Sequence, residues 1–167
     1  MPPRVRKFVL TAHVASSVGW LGAVGVFLAL AIAGLTADDA QVVRAVYLAM
    51  DSIAWFVLVP LSLASLLTGL VQALAGKWGL FRHYWVIVKL GINLVASVVL
   101  LLYMQTLSYL AGLATEPTLS DGLSPVLHAG AALLLLLVAT TLSVYKPAGM
   151  TRYGQRKQRQ RPGPRAL

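Results

Sequence analysis

Five residues of this chain carry chemistry in surroundings that are otherwise apolar: His13, Asp51, Lys89, Asn93 and His128. Ionisable groups are costly to keep in hydrocarbon, so each marks either a structural pairing or a working site. His13 shares a helical face with Ser16, Trp20, Ala23 and Phe27, which sets small side chains beside a ring. An imidazole with apolar walls and small neighbours is suited to axial ligation of heme iron. Ser16, Gly19 and Trp20 supply such a wall, and Lys89, with Asn93 one turn beyond it, would pair with a porphyrin carboxylate. The expected cofactor is therefore heme b, held by His13 with Lys89, Trp20, Ser16 and Asn93 around it; the alternative is no cofactor. Structural readings of the same residues stand beside this one. Lys89 can snorkel to the headgroups, Asp51 can cap the embedded part of its helix, His128 can hydrogen-bond at the interface, and His13 can be a structural histidine.

The residue inventory removes other chemistries. With no Cys there is no disulfide framework, thiolate nucleophile, iron–sulfur cluster or Cys-type zinc site. A P-loop, a dinucleotide-binding glycine fingerprint and an H-E-x-x-H pair are also absent. Only three His and four Met are present, without a Met–His cluster of copper-binding spacing.

The elements that must position these residues follow from hydropathy. Of 167 residues 58% are hydrophobic and 11% charged, against about 25% charged in a soluble domain. Mean hydropathy is +0.77, so the solvent is lipid. Four apolar stretches cover about residues 8–34, 41–75, 84–110 and 125–145, the second with its apolar part from Ser52 and an amphipathic run-in from Gln41. Each is long enough to cross roughly 30 Å of hydrocarbon, and none alternates as a barrel strand would. Arg4, Arg6 and Lys7 before an apolar run ending in Ala31-Ile32-Ala33 superficially resemble a signal peptide. The run exceeds the roughly 7–15 residues of a signal core and reads as a span.

Charge sets the orientation. Arg4, Arg6 and Lys7, then Lys77 and Arg82, then Lys146, Arg152, Arg156, Lys157, Arg159, Arg161 and Arg165 fall on one side. Arg44 alone falls on the other, with the acids Asp38, Asp39, Glu116 and Asp121. The positive-inside rule then predicts an up-down, all-α four-helix bundle with both termini cytoplasmic, in a bacterial plasma (inner) membrane. Trp78, Tyr84, Trp85, Tyr145 and Tyr153 fit an aromatic belt on the inner side. Residues 1–147 form the membrane domain. Residues 148–167, rich in Arg, Gln, Pro and Gly, read as a disordered tail in contact with anionic lipid, with no nucleic acid expected. Homo-oligomerisation stays open.

Depth groups the polar residues. His13 and Lys89 each lie about 7–10 Å inside the inner boundary at 1.5 Å per residue. Asp51 and His128 lie near the outer end, which predicts an inner His13–Lys89 layer and an outer Asp51–His128 layer. Ala15, Gly19 and Ala23 predict a close helix contact, and Asp51, Trp55, Leu58, Ser62, Ser65, Gly69 and Gln72 trace an inward seam on the second span. Pro60 should kink that span or free a carbonyl.

The segments His13-Val14-Ala15-Ser16-Ser17-Val18-Gly19-Trp20-Leu21-Gly22 and Trp85-Val86-Ile87-Val88-Lys89-Leu90-Gly91 resemble a broad group of small bacterial membrane proteins. The group includes CopD-type copper-resistance domains and HemJ-type protoporphyrinogen oxidases. Leu142-Ser143-Val144-Tyr145-Lys146-Pro147 with Thr151-Arg152-Tyr153-Gly154 resembles a family known only as a domain of unknown function, over nearly the whole chain. Resemblance to the HemJ type implies His13 as heme ligand and Lys89 as its basic companion. The chain departs from that type in having no further His on the third span after Lys89. Three readings follow: a b-type heme- or porphyrin-binding bundle for electron transfer, sensing or tetrapyrrole handling; a tetrapyrrole-acting oxidase using His13 and Lys89; and a cofactor-free transporter subunit or partner protein.

Overall fold

In the computed structural model, which describes residues 1–75, 79–113 and 119–160, the chain is all-α with four helices long and apolar enough to cross a membrane. Lys77, Trp78, Glu116, Arg161 and Arg165 lie outside those residues, as does the side chain of Asp121. The first span is α1 (Pro3–Thr36). The second joins α2 (Ala40–Ile53), a π turn (Ala54–Leu58) and α3 (Val59–Ala75). The third is α4 (Tyr84–Leu113) and the fourth α5 (Leu119–Tyr145). The fourth span thus starts before the expected Pro125, which sits buried inside the helix rather than opening it.

The connections are short, as an up-down bundle requires. Asp39 ends the first loop and caps α2, its carboxylate accepting from the Gln41 N–H at 2.8 Å. Each span packs against the spans next to it in sequence, and α1 closes the ring against α5. Spans one and three are therefore diagonal, and side chains joining them meet on the bundle axis.

Packing differs from the sequence expectation on two faces. On α1 the buried line is His13, Ser16, Trp20, Val24, Phe27, Ala31 and Gly34, while Ala15 is exposed. Gly19 keeps its predicted close contact: an added Cβ would stand 3.4 Å from Leu61. On the second span the seam holds from Leu58 through Ser62 and Ser65, but further out Met50 and Ala54 are buried where Asp51 and Trp55 were expected. The π turn is the cause. It carries an extra residue per turn, seen in the Val59 N–H bonding the Ala54 carbonyl, and so rotates everything before it by one position. Pro60 supplies the reason for the turn, because it has no N–H for the Phe56 carbonyl and its ring crowds that carbonyl.

A second departure lies past the fourth span. The tail was expected to be disordered, yet Arg152–Arg159 forms α6. Tertiary contacts hold it. Met150 makes an antiparallel bridge with His83, and the Thr151 N–H donates to the Arg82 carbonyl at 2.9 Å. The Thr151 hydroxyl donates to the Phe81 carbonyl and accepts from the Gly154 N–H at 3.1 Å, which caps α6. Gly154 has no alternative at this spot, since a Cβ there would stand 2.5 Å from the Arg82 carbonyl oxygen.

Candidate functional site

His13 is fixed by the second span. Its Nδ1 lies 3.1 Å from the Ser65 carbonyl oxygen and 3.1 Å from the Thr68 hydroxyl. A carbonyl only accepts, so Nδ1 carries the proton and Nε2 keeps its lone pair. Thr68 donates its own hydroxyl to the Ala64 carbonyl, which leaves its oxygen free to accept from Nδ1. The ring comes close to α3 because residue 69 is glycine; a Cβ there would meet Cε1 at 3.0 Å. Ser17 ties α1 to the same stretch through the Ser65 hydroxyl at 2.8 Å, and Gln72 donates to the Val9 carbonyl at 3.3 Å.

Lys89 answers from the diagonal span. Its Nζ lies 3.4 Å from His13 Nε2. The lysine therefore turns into the bundle and does not snorkel. The predicted inner layer is a direct contact, with Asn93 buried one turn along α4.

Two adjoining cavities of about 130 and 460 Å³ share His13, Gln72, Trp85, Lys89 and Asn93 in their walls. The larger runs between α1 and α5 to Lys146 at the end of the fourth span, and its floor is Trp20. Its size falls in the ~300–1,000 Å³ range of small-molecule sites. Ser16, predicted as cavity wall, is buried instead with its hydroxyl on the His13 carbonyl at 3.1 Å; Ser17 takes the wall position.

Sequence reasoning missed Thr68, Ser17, Trp85 and Lys146. It also missed Ser97, whose buried hydroxyl has no hydrogen-bond partner. The signal for Ser97 was present, because Lys89, Asn93 and Ser97 repeat at four-residue spacing on one face of α4.

The outer layer does not form. Asp51 Oδ1 accepts from the Ser108 hydroxyl at 2.7 Å, on the edge where the second span meets α4. His128 Nδ1 bonds the Ser124 carbonyl at 2.8 Å, and its ring stacks on Tyr103 at 4.1 Å. The two hold different partners, and those partners, Ser108 and Tyr103, stand more than a turn apart on α4; the π turn moves Asp51 off the inward seam.

Among the described residues no three His, Cys, Asp or Glu side chains gather as a metal site. For an iron porphyrin the imidazole would be suitably set, since Nδ1–H is held on the Ser65 carbonyl, as in most metal-binding histidines. Ligation demands one movement: Lys89 Nζ now occupies the approach to Nε2. Fold and site together define a multi-pass α-helical membrane protein with a largely apolar cavity, carrying a few polar side chains, built into one half of its bundle. Compared with protein-family models, curated proteins and solved structures, the chain matches none.

Proposed function

We propose that this protein binds an iron tetrapyrrole, heme b, in the inner half of its bundle in a bacterial plasma membrane. The observation that supports the reading is the orientation of His13, whose Nδ1 is spent on Ser65 so that Nε2 faces the cavity and Lys89. His13 would ligate the iron, and Lys89 would leave Nε2 to pair with a carboxylate at the cavity mouth. The two events assist each other, because the same amine cannot serve both partners. Trp85 and Trp20 supply apolar walls, and Asn93 and Gln72 offer further hydrogen bonds. When bound, an iron porphyrin supplies one-electron chemistry; the chain's part is to hold it, exclude bulk water and fix its axial ligand.

A cofactor-free reading has one observation in its favour: the Lys89–His13 contact satisfies both side chains without a ligand. A visible spectrum decides between them. Protein purified from heme-supplemented cells should show a Soret band that His13→Ala abolishes while the chain still inserts. A colourless preparation refutes the tetrapyrrole reading and leaves the structural one.

A further inference from the structure

The basic stretch Arg152–Arg159 is a helix docked on the loop before the third span. Arg152, Arg156 and Arg159 are exposed and spaced to form one row along α6. Gly154, which points at the Arg82 carbonyl, lies on the opposite side, so the row faces away from the protein body. The clasp to residues 81–84 holds α6 level with Tyr84 and Tyr145, the ends of the third and fourth spans. That is headgroup depth.

Among the described residues no acidic side chain pairs with this row. All five acidic residues of the chain lie at positions 38, 39, 51, 116 and 121, and none is within α6. Like charges four apart destabilise a helix, so a helix carrying Arg152 and Arg156 at that spacing calls for an external anion. Its retention rests on the Thr151 cap and the Gly154 contact, which fix where the cations stand.

We propose that α6 is a binding site for anionic phospholipid headgroups of the adjoining leaflet, with Arg152, Arg156 and Arg159 as the phosphate-binding row. A nucleic acid would also meet cations, but an eight-residue helix held at headgroup level presents them to lipid first. The proposal is independent of any cofactor in the bundle.

The test uses the full chain in a zwitterionic detergent, titrated with short-chain phosphatidylglycerol and, in parallel, phosphatidylcholine. Phosphatidylglycerol should bind at least tenfold tighter, and the preference should weaken with salt. Each cation near an anionic surface contributes about fivefold, so the triple variant Arg152→Gln, Arg156→Gln, Arg159→Gln should lose roughly 100-fold. Gly154→Val keeps every charge but cannot dock, and should lose severalfold. Equal binding of the two lipids, an unchanged triple variant, or a Gly154→Val protein that binds as the natural one does would each overturn the proposal. So would a single-stranded oligonucleotide that displaces phosphatidylglycerol at lower concentration.

Discussion

The seat of His13 on α3 exists only because residue 69 lacks a side chain, and Gly69→Ala tests the site from beneath. The new Cβ would stand 3.0 Å from Cε1 and 3.4 Å from Nδ1. Ordinary contact begins near the second distance, so the ring must retreat about 0.4 Å from α3. Ser65 is on that same helix, and the 3.1 Å bond to its carbonyl then stretches to the edge of bonding. The loss is about 0.5–1.5 kcal/mol. Against it stands the ~0.5–1 kcal/mol that Ala gains over Gly in a helix interior. Net stability should hardly move, which makes a control essential. Gly22 has nothing within 4 Å of its would-be Cβ, so Gly22→Ala keeps the gain without the clash. Equilibrium unfolding in detergent should separate the two variants by about 0.5–1.5 kcal/mol. Hemin titration followed at the Soret band should show Gly69→Ala weakened by roughly three- to tenfold and Gly22→Ala unchanged. If the two variants match in both assays, the seat described for His13 is wrong.

Lys89→Met keeps the length of the side chain and removes its nitrogen; porphyrin retention should fall by about 1–3 kcal/mol while insertion is unaffected, as measured by Soret titration of membranes. Reporter fusions at residue 7 and residue 160 should both report cytoplasm, and a fusion in the Asp38–Asp39 loop should report the opposite side. Pro60→Ala restores an N–H to the Phe56 carbonyl and should relax the π turn. The chain has no Cys, so Trp55→Cys gives a clean probe, and its labelling by a lipid-soluble maleimide should drop when Pro60→Ala is added.

What the sequence made legible follows from which constraints act locally. Span number needs only apolar length against bilayer thickness, a requirement that no tertiary contact alters. The His13–Lys89 layer was legible for a related reason: both residues are counted from the same boundary at a fixed rise per residue. Azimuth is harder than depth. Asp51 and His128 do not share a face, because a seam counted at 3.5 residues cannot register the extra residue of the π turn. Pro60 was visible, but whether it would kink the helix or widen a turn was not. Helix α6 was hidden for a different reason. Its composition favours disorder, and what folds it is the pairing of Thr151 and Gly154 with Phe81 and Arg82, some seventy residues away.

The diagonal position of His13 and Lys89 bears on whether the pair is glue or machinery. Keeping a lysine within a span costs about 2.5–3.5 kcal/mol on insertion scales. One hydrogen bond to an imidazole returns about 1.5–3 kcal/mol when a charged group is involved, so as glue the pair at best breaks even. Buried ionic pairs are often replaced by apolar residues without loss, whereas removing one partner alone is destructive. The double variant His13→Leu, Lys89→Met should therefore be at least as resistant to unfolding as the natural chain, with His13→Leu alone less resistant than either. A double variant that loses several kcal/mol would show that the contact holds the bundle together, and the structural reading would then be sufficient. One that is as stable as the natural protein but retains no porphyrin would mean that the pair is kept for the ligand, at a position where an apolar core would have folded as well.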